Sequence, residues 1–113
     1  MTVRIYFNDE KASEKYKILQ SSLNSEDIRI LKEINKTIDI LEKDPFLGTQ
    51  IPKRLIPKEY NKIFKPDNLW KYDLSKSWRL IYWISSDDEG QITLLIDWMN
   101  HKQYDKLFGY NTS

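Results

Sequence analysis

Lys71 and Arg79 flank a very short polar turn inside the stretch LWKYDLSKSWRLIYWI, residues 69–84. Two cations carried on neighbouring strands can bind a phosphate. The guanidinium suits that task because it offers a planar fork of donors and stays charged. Asp73 lies in the same stretch. Alternation along a strand puts Lys71 and Asp73 on one side, and cross-strand neighbours share a face. A salt bridge from Asp73 to Arg79 or Lys71 therefore also accounts for these charges, and the sequence leaves both readings open.

A second group follows near the C-terminus. His101 is the only histidine, Lys102 is next to it, and Tyr104 lies three residues further on. On a helix that spacing makes His101 and Tyr104 neighbours. An imidazole exchanges protons near neutral pH, a lysine stabilises developing negative charge, and a tyrosine donates a proton or stacks on a base. The plainer alternative is a capping histidine and a tyrosine at the edge of a core. Trp70 and Trp78 flank the turn at 75–77 and either could be a stacking platform, although most of the aromatics are needed to build the interior.

Other chemistries find no support. With no cysteine and one histidine there is no thiolate site, no disulfide scaffold and no HExxH pair. GTQIPKR (48–54) is not a phosphate loop, and no GxSxG elbow is present.

Elements able to position these residues can be read from periodicity. VRIYF (3–7) is β-branched and aromatic and predicts a strand. Asn8 and Asp9 can cap a helix whose inner face is Ala12, Tyr16, Leu19 and Leu23. Asn24 and Ser25 break and cap again, and Ile28, Leu31, Ile34, Ile38 and Leu41 mark a second helix ending before DPFLG. All four prolines fall at 45, 52, 57 and 66, so residues 45–67 are expected to be a stiffened connection, with a turn or two of helix at PKEYNKIF. LWKYDL (69–74), WRLIYWI (78–84) and QITLLIDW (91–98) predict three antiparallel strands joined by SKS and SSDDEG. NHKQYDKLFG (100–109) predicts a short closing helix with Gly109 as its cap. The expected fold is one α+β domain over residues 1–113. Its helical hairpin packs on one side of a twisted, mainly antiparallel four-stranded sheet, and the other side is partly open.

Net charge is only +1, but it is unevenly spread. Residues 1–48 carry 8 basic and 9 acidic side chains, residues 49–79 carry 8 and 3, and residues 80–113 carry 2 and 5. The middle third is thus a basic segment, the form of charge distribution that attracts a polyanion. No apolar run reaches signal-peptide length at the N-terminus or the roughly 20 residues of a membrane span. With the lack of cysteine, this fits a cytoplasmic location and no membrane partner.

The second half of the chain resembles the RelE/ParE toxin superfamily of type II toxin–antitoxin systems. The resemblance rests on a strand with a lysine near its start (LWKYDL), a polar turn, WRLIYWI, an acidic turn, and LLIDWMNHKQYDKLF. DPFLGTQIPKRL and the preceding helical pair extend it over nearly the whole chain. It implies a RelE-like fold, a cytoplasmic toxin, a cognate antitoxin as partner, and a ribosome-dependent mRNA endonuclease that needs no cofactor or metal. In that reaction a ribose 2′-OH attacks the adjacent phosphate and leaves a cyclic phosphate. Carried over by position, Arg79 is the phosphate clamp and Lys71 its companion. His101, Lys102 and Tyr104 are the segment for proton transfer and base stacking. Lys53, Arg54, Lys58, Lys62 and Lys65 would grip ribosomal RNA through charge. The superfamily also implies two alternatives, a ParE-like gyrase inhibitor and an inactive interaction protein. This chain departs from the pattern where many members have a second lysine and it has Asp73, in the shortness of its 75–77 turn, and in its basic proline-rich insert at about 49–67.

Overall fold

The computed structural model describes residues 3–63 and 68–109, with 61–63 described by backbone alone. Strand β1 (Arg4–Phe7) is followed by helices α1 (Glu10–Ser21) and α2 (Ser25–Lys43). Each helix begins where a short polar side chain replaces a missing backbone partner. Asp9 accepts from the Ala12 N–H, and Asn24 accepts from those of Glu26 and Asp27. The apolar period of α2 buries Ile30, Ile34, Thr37 and Leu41 on one stripe. Leu23, expected on the inner face of α1, instead lies beyond its end and is 93 % exposed.

The connection after α2 contains an element that the prolines concealed. Thr49–Ile51 form strand β2, which pairs antiparallel with β3 (Leu69–Asp73) and makes the sheet five-stranded rather than four-stranded. Pro52, which has no N–H to donate, follows it directly, as suits a short edge strand. Gly48 makes the pairing possible by close approach. A Cβ there would stand 2.3 Å from the Tyr82 hydroxyl and 2.5 Å from the Lys71 carbonyl oxygen. A 3-10 turn (Lys53–Leu55) and helix α3 (Lys58–Ile63) complete the connection.

Strands β4 (Trp78–Asp87) and β5 (Gly90–Asn100) are longer than their apolar runs. The ladder continues through polar residues to Asp87 opposite Gly90, so the expected six-residue acidic loop shrinks to a turn at 88 and 89. Gly90 has φ 120, which only glycine adopts without strain. Arg4 of β1 holds this tip through Asp87 at 2.5 Å and Glu89 at 3.3 Å. The Arg4 hydrogen bond keeps the Asp87 carboxyl below the usual carboxylate range. Helix α4 (His101–Phe108) closes the described chain. The sheet order is β1-β5-β4-β3-β2, antiparallel except where β1 runs parallel to β5.

Both faces of the sheet are covered, not one. On the first, α1 and α2 set Leu19, Ile30, Ile34 and Leu41 against Leu80, Tyr82, Leu95 and Trp98. On the second, Tyr60 of α3 and Tyr104 and Phe108 of α4 pack with Ile51, Leu69, Ile81 and Met99. Burying each such side chain contributes about 1.5–3 kcal/mol. The second face is therefore a core that stops short of the β3–β4 turn, and the charged residues begin where it stops. Among the described residues no helix is long and apolar enough to cross a membrane.

Candidate functional site

Strand register decides which side chains meet. β3 and β4 pair Leu69 with Trp83, Lys71 with Ile81, and Asp73 with Arg79. Leu69, Lys71, Asp73, Arg79, Ile81 and Trp83 therefore share the face covered by α3 and α4. Lys71 and Arg79 converge on Asp73, with Lys71 Nζ 2.8 Å and Arg79 Nε 3.6 Å from its Oδ1. The cross-strand ion pair read from the sequence is thus formed. The cations are more enclosed than the anion, at 17 % and 22 % side-chain exposure against 62 % for Asp73. Asp73 is therefore the solvent-facing member of the three.

Arg79 is held on two further sides. Its Nη1 donates to the Ser77 carbonyl oxygen at 2.8 Å, and its guanidinium carbon lies 5.1 Å from the centroid of the Tyr104 ring. A cation over an aromatic face is attracted by the ring quadrupole. Tyr104 comes from α4, which starts directly after β5 through a reciprocal cap. Asn100 accepts from the Gln103 N–H, and the Gln103 side chain accepts from the Asn100 N–H. That cap fixes the angle at which the helix returns over the sheet.

The residues of the closing segment do not share one environment. Tyr104 is only 2 % exposed and stacks on Phe108 with ring centroids 4.6 Å apart. No base can reach its ring, so in this arrangement Tyr104 supports Arg79 instead of stacking on a substrate. His101 occupies the first position of α4 and is exposed, as is Lys102. Among the described residues no hydrogen bond, ion pair or ring contact joins His101 to Arg79 or Tyr104. Trp70 is also accounted for within the protein. Its Nε1 donates to Asn68 at 2.9 Å, it stacks on Tyr82, and Phe46 meets it edge-on. Trp78 packs against the first core.

The basic connection lies on the same sheet face as Arg79, because Leu55, Ile56 and Tyr60 pack into the second core. Lys53, Arg54 and Lys58 are exposed there. The side chain of Lys62 and the whole of Lys65 lie outside the described residues. Among the described residues no three His, Asp or Glu side chains are grouped to hold a metal ion.

The β3–β4 turn contains what the sequence reading missed. Lys76 and Ser77 both have positive φ, 54 and 63. Each such non-glycine residue costs about 1–2 kcal/mol. The turn is secured from the other side of the sheet by Glu33 of α2. Its carboxylate accepts from the Ser75 N–H at 2.7 Å and the Ser75 hydroxyl at 2.5 Å. Burial alone would push the Glu33 carboxyl up. The Ser75 hydrogen bonds and the Arg29 charge outweigh burial and hold it below the usual carboxylate range. A serine-bearing turn and a glutamate 42 residues away offer no local sequence signal.

A groove of about 450 Å³ opens on the opposite face, between Phe46, Gln50, Trp70 and the Ser85, Ser86 and Gln91 end of the hairpin. Among the described residues no charged side chain lines it, in contrast to the Lys71 and Arg79 pair on the other face. Comparison of the chain with protein-family models, with curated proteins and with solved structures returns no match.

Proposed function

We propose that this protein is a RelE-like toxin that cleaves mRNA on the ribosome. The observation that carries the reading is the guanidinium of Arg79, laid over Tyr104 on the sheet face it shares with Lys71, beneath the helix that His101 opens. A bound phosphodiester would displace Asp73 from the two cations, which then face the negative charge that grows as the 2′-oxygen attacks. The 2′-oxygen–phosphorus bond forms and the bond to the 5′-oxygen breaks. The exposed imidazole of His101 is the available group to take the proton lost by the 2′-OH, and the leaving 5′-oxygen takes up a proton from water to depart as a hydroxyl. Lys53, Arg54, Lys58 and Lys102 supply charge for gripping ribosomal RNA, a role that needs no fixed geometry. An antitoxin protein would be the partner that restrains the activity.

A second reading is favoured by the Asp73 contacts themselves. A site whose two cations are already paired with an internal carboxylate suits a protein-binding inhibitor of the ParE kind, or an inactive relative. The deciding experiment is induced expression with mapping of mRNA 5′ ends. Ribosome-dependent breaks at fixed codon positions, lost in Arg79→Ala and His101→Ala, are the expected result. Intact mRNA with arrested DNA replication would overturn the nuclease in favour of the second reading.

A further inference from the structure

We propose that Glu33, on the opposite side of the sheet from Arg79, is the positioning residue that sets the Arg79 guanidinium. The claim rests on Arg79 being the working cation of the site proposed above, although the geometry it describes can be measured without any reaction. The connection runs through five hydrogen bonds. Both carboxylate oxygens of Glu33 hold Ser75, one through the backbone N–H and one through the hydroxyl. Arg29 closes the ring, with Nη1 at 2.5 Å from Glu33 Oε2 and 2.6 Å from Ser75 Oγ. Ser75 starts the turn whose next two residues are held at positive φ. The Ser77 carbonyl, at the end of that turn, accepts from Arg79 Nη1 at 2.8 Å.

The physical argument is one of alternatives. Lys76 and Ser77 have side chains that disfavour the left-handed region, so this turn does not persist by local preference. Something outside it must over-determine its shape. Glu33 is in place to do so, since it bonds backbone and side chain of the same residue and is itself fixed by a full-length helix. With Glu33 removed, the backbone closure from the Leu74 N–H to the Trp78 carbonyl at 2.8 Å remains, but the residues it encloses lose their outside anchor and the Ser77 carbonyl shifts. Arg79 then keeps its charge and its strand position but loses the contact that aims the guanidinium across the Tyr104 ring. Glu33 touches no substrate in this scheme and acts only through the turn.

The test uses the full chain with Glu33→Ala and Glu33→Gln, and Ser75→Ala as a milder third variant that keeps the backbone half of the contact. Arg79 side-chain resonances report its place over Tyr104 through the ring current. In Glu33→Ala the upfield displacement of the Arg79 side-chain protons should fall by at least half, with the α4 and β5 amide spectrum unchanged. Glu33→Gln and Ser75→Ala should give smaller shifts in the same direction. Should Glu33→Ala fail to fold, the other two variants decide the matter. Arg79 resonances unmoved in folded variants would overturn the proposal. Where mRNA cutting is measured, kcat should fall about tenfold with KM for ribosomes unchanged. A wild-type protein that cuts no mRNA would refute the nuclease reading, and the resonance shifts would still decide what Glu33 does.

Discussion

Replacing Asp73 with asparagine tests whether the paired cations can serve a phosphate. Asp73→Asn keeps the shape of the side chain and removes its charge, so Lys71 and Arg79 lose their internal counter-ion while the strand pairing stays. The carboxylate lies 2.8 Å from Lys71 and 3.6 Å from Arg79 and is 62 % exposed, so each pair is screened by water. Exposed ion pairs contribute about 0.2–1 kcal/mol each. A bound phosphate must replace both, which sets the competition at about 0.4–2 kcal/mol. At about 1.4 kcal/mol per tenfold, the variant should bind a short single-stranded RNA about 2- to 30-fold more tightly. Fluorescence anisotropy with a labelled oligonucleotide over a salt series would measure it. The dependence of log Kd on log salt should also steepen, because cations no longer neutralised internally release more counter-ions from the RNA. Unchanged affinity and unchanged salt dependence would show that RNA does not meet these two cations. Weaker binding would show that Asp73 arranges the site instead of competing for it.

Three further outcomes follow from the packing. Gly48→Ala should destabilise the fold by about 1–3 kcal/mol in urea titration, since the new methyl must displace the Tyr82 hydroxyl or the β3 backbone. Tyr82→Phe should cost about 1–3 kcal/mol by the same method, because the buried hydroxyl donates to the Pro45 carbonyl at 2.8 Å and accepts from the Gly48 N–H at 3.2 Å. Glu33 has a carboxyl held below its ordinary value of 4.5, so the stability it contributes is complete above that value and is lost as pH falls through its lower folded value. The stability gap between wild type and Glu33→Gln, followed by denaturant titration, should therefore be constant from neutral pH down to about 5 and narrow below that. A gap that widened on acidification would contradict the Ser75 clamp.

The sequence alone determined the order of most elements and the residue types available for chemistry. Apolar spacing of three and four from Ile28 to Leu41 and alternation from Leu69 to Ile84 are local patterns, and a helix or strand answers to them whatever it packs against. Asp9, Asn24 and Gly109 marked helix ends for the same reason, since a cap is satisfied within a few residues. Lys71, Asp73 and Arg79 could be named as a group because a short turn joins their strands. Only the tertiary structure decided what depends on distant partners. Thr49–Ile51 is a strand because β3 is there to pair with it, which no pattern in a proline-rich connection reveals. Tyr104 and His101 are near neighbours in sequence, yet the angle of α4 buries one ring under Arg79 and leaves the other in solvent. The second core closed a face that helical content alone suggested was open, because α3 and α4 are too short to be read as a layer until both meet the same strands. The reason throughout is that periodicity records the surface each element must bury, whereas the identity of the partner is set by chain crossings that no window of sequence contains.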